Sequence, residues 1–183
     1  MKKYRNLIIL AVLLVVVIAG SVFAYNKLAD KVENETSSPQ TQQAQSNTAQ
    51  NFTVYDGDGN EIELSGNIGK PIVVNFWATW CPPCKQELPH FNTLYQEMGN
   101  EVTFMMVDLT DGNRETVDGV KAFVQENGYT FPVYYDSDTS AAYAYNVSSI
   151  PMTLFIDENG YLVDYYIGAI DEETLRNYID KIR

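Results

Sequence analysis

The segment Val73-Val74-Asn75-Phe76-Trp77-Ala78-Thr79-Trp80-Cys81-Pro82-Pro83-Cys84-Lys85-Gln86-Glu87-Leu88-Pro89 constrains this chain more than any other. Ile72 to Trp77 is apolar and β-branched apart from Asn75, the pattern of a central strand covered on both faces. Pro82 and Pro83 then fall where a helix would begin, a place where a missing N–H costs little because the first donors have no intrahelical partner. The only two cysteines of the chain are thereby set three apart at a helix N-terminus.

A thiolate at a helix N-terminus is stabilised by the free N–H groups and the helix dipole. In such a pair the first sulfur usually faces solvent and attacks, and the second is shielded and resolves the mixed disulfide. Cys81 is thus the candidate nucleophile and Cys84 the candidate resolving thiol. The competing readings are a structural disulfide, half of a zinc site, or two inert core thiols. Zinc needs two further nitrogen or sulfur ligands, and the chain offers only its sole histidine, His90. A disulfide between positions three apart closes too small a loop to staple a domain of this size. Redox catalysis is the favoured reading, and no cofactor or metal is expected with it.

Asn75-Phe76-Trp77-Ala78-Thr79-Trp80-Cys81-Pro82-Pro83-Cys84 resembles the active-site segment of thioredoxin-fold proteins. It is most similar to the membrane-anchored thiol-disulfide oxidoreductases of the TlpA/ResA kind, and the resemblance covers about residues 51 to 183.

Before that region lie two segments of different character. Lys2, Lys3 and Arg5 precede an apolar run from Leu7 to about Ala24. As a helix this run is roughly 27 Å long, just enough to span a bilayer core. The basic flank predicts that the N-terminal end stays in the cytoplasm and the remainder is exported. Residues 1–25 therefore read as a single-pass anchor, with a cleaved signal peptide ending near Val22-Phe23-Ala24 as the alternative. Residues 26–50 are rich in Gln, Ser, Thr and Asn and cannot bury a core. They read as a flexible polar tether, on average about 25–30 Å long as a coil. The formal net charge is −12, yet Lys2, Lys3, Arg5, Lys27 and Lys31 all precede position 32, so the remaining domain is more acidic still. That balance disfavours nucleic acid and anionic membrane as partners.

Residues 51–183 have the size of one domain with its own core. Phe52-Thr53-Val54-Tyr55 and Glu61-Ile62-Glu63-Leu64 flank the turn-rich Asp56-Gly57-Asp58-Gly59-Asn60 and predict an opening hairpin. A helix is expected from the cysteines to about Met98, with Leu88, Phe91, Leu94 and Tyr95 on one face. The pattern then gives a buried strand over Val102–Val107, a helix over Val117–Asn127 stopped by Gly128, and an extended Phe131–Tyr135. A short helix over Ser140–Tyr145, a hairpin of Met152–Ile156 with Tyr161–Ile167, and a helix capped by Asp171 and ending near Ile182 complete it. The expected class is α/β: a thioredoxin-like fold with a mixed central sheet flanked by helices and an N-terminal β-hairpin.

The resemblance assigns further roles. Cys81, Cys84 and Glu87 would be catalytic, and Trp80, Pro82, Pro83, Ile150 and Pro151 would contact substrate. Pro151 matches the family's cis-proline opposite the cysteines, which would hold the Ile150 backbone extended for a substrate peptide to add as a strand. Glu87, one helical turn after Cys84, would take its proton during resolution. Asn75 stands where thioredoxin has a buried aspartate, and Glu87 matches the glutamate of the TlpA/ResA branch. Trp80 would cover one side of the disulfide, and Pro89 matches a helix-kinking proline. Trp77, Tyr143, Tyr145, Tyr165 and Tyr166 are assigned to packing and His90 to a solvated helix face. The implied substrates are disulfide-containing exported proteins, such as apocytochrome c or methionine-repair enzymes, and the implied electron donor is a CcdA-like membrane protein. A disulfide-forming oxidase of the same fold is the alternative. A Sco-like copper protein is disfavoured because the spacing is one residue short and no histidine follows His90. A peroxiredoxin is disfavoured because position 78 is Ala rather than Thr.

Overall fold

The computed structural model of the chain describes residues 47–183. The expected anchor and most of the expected tether lie outside these residues. Among those described, no helix is long and apolar enough to cross a membrane.

A seven-stranded sheet organises the described residues. Strands β1 (Thr53–Tyr55) and β2 (Glu61–Glu63) form the opening hairpin. Asp56 makes its turn: Oδ1 accepts the N–H groups of Asp58 and Asn60, each at 2.9 Å, and Gly59 supplies a φ of 83°. The other strands are β3 (Ile72–Trp77), β4 (Thr103–Asp108), β5 (Val133–Tyr135), β6 (Met152–Ile156) and β7 (Leu162–Ile167), in the spatial order β2-β1-β5-β4-β3-β6-β7. β3 runs parallel to β4 and antiparallel to β6, so the sheet is mixed.

All six residues of β3 are buried, and its pleat divides the core. Val73 and Trp77 pack with the helices α1 (Pro82–Met98), α2 (Val117–Glu126) and α4 (Glu172–Asp180). Ile72, Val74 and Phe76 face the other side, with Phe52, Val54, Leu64 and Ala141 of the short helix α3 (Ser140–Ala144). α1 buries Cys84, Glu87, Leu88, Phe91, Leu94 and Met98, the three- and four-residue spacing of one helical face. α2 is capped by Thr116 Oγ1 on the Gly119 N–H at 3.2 Å, and α4 by Asp171 Oδ1 on the Thr174 N–H at 2.8 Å.

The elements expected over residues 51–183 are all present, with ends moved by at most two residues. β5 begins only at Val133, after Pro132, which has no N–H to give to a ladder. Residues 47–49, read from the sequence as the end of the tether, lie along the start of β7: Ala49 N donates to Gly160 O and Leu162 N to Asn47 O. Two tyrosines differ from expectation. Tyr145 and Tyr166 pack against Phe52 and Tyr178, respectively, but Tyr143 is 88% and Tyr165 54% exposed. α3 turns only its Ala141 face fully inward, and the outer side of edge strand β7 carries Val163, Tyr165 and Ile167 into solvent.

Phe155 is fully buried on β6 and stacks on Tyr178 of α4, with ring centroids 4.6 Å apart. Phe155→Ala is expected to cost about 3–5 kcal/mol, from lost burial plus a residual cavity. A urea titration of both proteins checks this through the shift of the unfolding midpoint.

Candidate active site

β3 ends at Trp77, and Ala78–Trp80 turn the chain into α1. Cys81 is the N-cap of that helix, with extended backbone (φ −91°, ψ 107°), and its Sγ accepts the Cys84 N–H at 3.2 Å. Pro82 and Pro83 form the first helical positions and are exposed. Cys81 and Cys84 are joined as a disulfide. Both are buried as residues, Cys81 at 3% exposure and Cys84 at none, so Cys81 is the one nearer solvent.

Three other elements converge on the pair. The Ile150–Pro151 peptide bond is cis, and the Ile150 carbonyl oxygen lies 3.8 Å from Cys81 Sγ. Trp80 is exposed beside Cys81, with the Arg114 guanidinium 4.1 Å over its ring. Glu87, one turn along α1 from Cys84, is buried among core residues. Its carboxylate accepts the Asn75 amide N–H at 2.8 Å and the Ile170 backbone N–H at 3.0 Å. Asn75 also donates to Thr153 Oγ1 at 3.1 Å, so β3, β6, α1 and the segment before α4 meet at one polar point. Burial pushes the Glu87 carboxyl up to about 7, against the pull of those two hydrogen bonds. A buried carboxyl that titrates near neutrality is suited to exchange a proton with a neighbouring thiol.

The structure thus gathers Cys81, Cys84, Glu87, Trp80, Pro82, Pro83, Ile150 and Pro151 at one end of the sheet. His90 is half-buried on α1. Among the described residues no group of His, Cys, Asp and Glu is arranged to hold a metal ion. Sequence reasoning did not find the Asn75 and Ile170 contacts with Glu87, nor the buried carboxyls of Asp108 and Glu115 on the opposite flank of the motif. The one available signal was a polar residue in each apolar strand, Asn75 in β3 and Asp108 closing β4.

A helix-capping disulfide facing a cis-proline loop on this sheet defines a thioredoxin-like protein of the disulfide-exchanging class. Residues 46–165 match the AhpC/TSA family model. Over 137 residues the chain is 39% identical to the thiol-disulfide oxidoreductase ResA of Bacillus cereus, covering 73% of this chain and 76% of that one. It is 31% identical to ResA of Geobacillus kaustophilus across 100% of its own length and 99% of the relative's. Among solved structures, StoA from Bacillus subtilis superposes with a TM-score of 0.62 at 29% identity, covering 71% of this chain and 96% of that one. The chain belongs to the AhpC/TSA family, within its thioredoxin-like ResA-type branch, and is a thiol-disulfide oxidoreductase.

Glu87 makes stability depend on pH with a definite sign. Its folded-state value is raised above the ordinary 4.5, so between about 4.5 and about 7 the folded state holds a proton that the unfolded state releases. Stability therefore falls as pH rises through that window. Glu87→Gln is expected to remove this part of the dependence, and urea midpoints of the oxidised proteins at several pH values measure it. Parallel curves for parent and variant would rule the assignment out.

Proposed function

We propose that this protein is an extracytoplasmic, membrane-tethered reductase of disulfides in exported proteins. The observation that carries the reading is the near-buried Cys81–Cys84 pair at the N-terminus of α1, with the Ile150 backbone beside the first sulfur and Glu87 one turn beyond the second. In the dithiol form the Cys81 thiolate, favoured by the helix N-terminus, attacks a substrate disulfide and forms a mixed disulfide while one substrate sulfur leaves as thiolate. Cys84 gives its proton to Glu87 and attacks Cys81 Sγ. This forms the intramolecular disulfide and releases the second substrate thiol, so two electrons pass to the substrate.

The substrate segment lies extended against Ile150 and cis-Pro151 by strand addition, between Trp80 on one side and exposed Pro82 and Pro83 on the other. Residues 1–25 hold the protein in the membrane as a single-pass anchor, and the polar segment after them lets the catalytic domain reach its partners. The likeness to ResA over the whole chain supports an apocytochrome c class of substrate and a CcdA-like membrane donor that restores the dithiol. Methionine-repair enzymes are a second substrate class for the same chemistry.

Direction is a matter of redox poise. The reading predicts a reduction potential near the thioredoxin value of about −270 mV rather than the DsbA value of about −120 mV. Equilibration of the purified protein with a thiol redox buffer measures it, and a value at the DsbA end would make the protein a disulfide-forming oxidase. Cys84→Ser is expected to trap substrates as mixed disulfides on Cys81, whereas Cys81→Ser is expected to trap none and to abolish turnover.

A further inference from the structure

On the side of the motif away from Glu87 lies a second buried acidic arrangement that the exchange chemistry does not itself use. Asp108, the last residue of β4, sits opposite Trp77 in the parallel register with β3. Asp108 has no exposed surface and Glu115 only 1%. Both Glu115 oxygens are acceptors from one residue: Oε1 takes the Thr79 N–H at 2.5 Å and Oε2 the Thr79 hydroxyl at 2.7 Å. Asp108 Oδ1 accepts the Thr110 hydroxyl at 2.6 Å, whereas its Oδ2 is buried with no donor facing it. An ionised oxygen left in that position would be costly.

We propose that Asp108 and Glu115 form a carboxylic acid–carboxylate pair holding one proton, and that Glu115 is thereby a positioning residue for Cys81 through Thr79. In this pair the proton sits on the unpartnered Asp108 Oδ2 and is donated to the Glu115 carboxylate, the side-chain hydrogen-bond partner that raises Asp108, while the Glu115 oxygens hold Thr79. Thr79 lies within the turn that Cys81 N closes on Ala78 O at 3.2 Å, so fixing it fixes the N-cap from which Cys81 Sγ meets the Cys84 N–H. The same loop is joined to the motif again through Arg114 on Trp80. Glu115 itself is held from within: Asp111 Oδ1 accepts its N–H at 2.9 Å and that of Asn113 at 2.8 Å.

The electrostatic surroundings agree. Burial, with smaller contributions from Glu115 and Asp111, holds the Asp108 carboxyl well above the usual carboxylate range, the Thr110 hydrogen bond opposing it. Tyr135 of β5, paired with Asp108 in register, is pushed up to about 12 chiefly by burial, so its hydroxyl stays neutral. Asp136, whose N–H bonds Asp108 O, spends its carboxylate on the Ala141 and Ala142 N–H groups. Asp111 is held low chiefly by the N–H groups of Glu115 and Asn113, and Arg114, the cation of this loop, lies over Trp80.

Positioning and plain charge predict opposite signs. Deleting a nearby negative charge lowers a thiol pKa, whereas loosening the N-cap raises it. The experiment is the pH profile of Cys81 alkylation by iodoacetamide in the full chain carrying Cys84→Ser. Glu115→Ala is expected to raise the Cys81 pKa by about one unit, a fall of about tenfold in reactivity below both values. Thr79→Val, which keeps the N–H bond and loses the hydroxyl bond, is expected to shift it the same way by less. Asp108→Asn, whose amide replaces the shared proton, is expected to leave the profile within about twofold and to match the parent's stability at neutral pH. It should also gain on the parent as pH rises, since it has no carboxyl to ionise against Glu115. An unchanged or lowered Cys81 pKa in Glu115→Ala, or in Thr79→Val should the former not fold, overturns the proposal. So does loss of neutral-pH stability in Asp108→Asn. Because alkylation reads Cys81 alone, this result is independent of whether the protein reduces or forms disulfides.

Discussion

The contact on which the site depends is the buried Asn75–Glu87 hydrogen bond, extended by the Ile170 N–H and Thr153. A carboxyl placed among core residues is expensive unless it is hydrogen-bonded or protonated, and here both remedies operate. The two donors hold Glu87 in place, and burial holds its titration near neutrality. The same two donors fasten the central strand and the segment before the last helix to α1, directly behind Cys84. One titratable group thus joins three elements of the fold, which ties the stability of this region to its protonation state.

Around that contact the fold works as a set of converging ends. The C-terminal ends of β3 and β4, the N-terminus of α1 and the Ile150–Pro151 loop all open to one edge of the sheet. Helix N-termini attract negative charge, so a thiolate forming at Cys81 gains from the backbone without any added cation. Burial nevertheless restricts Cys84 and leaves Cys81 closer to solvent, the asymmetry on which the proposed division between attack and resolution rests. Carboxyls flank the motif on both sides: Glu87 one turn after Cys84, and Asp108 with Glu115 behind the turn that precedes Cys81.

Most of the element order was legible from periodicity. The β3 run, apolar apart from Asn75, the three- and four-residue spacing of α1, and the Asp56-Gly57-Asp58-Gly59-Asn60 turn each follow from local rules. Element ends moved where local competition decides them, as at Pro132 before β5. Tyr143 and Tyr165 were misread because a tyrosine on a short helix or an edge strand has the same local pattern whether or not another element covers it.

By itself the sequence determined the place of the cysteine pair at a helix start and the class of fold, because these depend on spacing within one or two turns of chain. Only the tertiary structure decided that Glu87 is buried, that Asn75 and Ile170 are its partners, and that Glu115 reaches back to Thr79. Glu87 and Ile170 are 83 positions apart, and Thr79 and Glu115 are 36. Contacts at such separations are set by how sheet and helices pack, and the solvation that sets a carboxyl's affinity for its proton is known only once that packing exists.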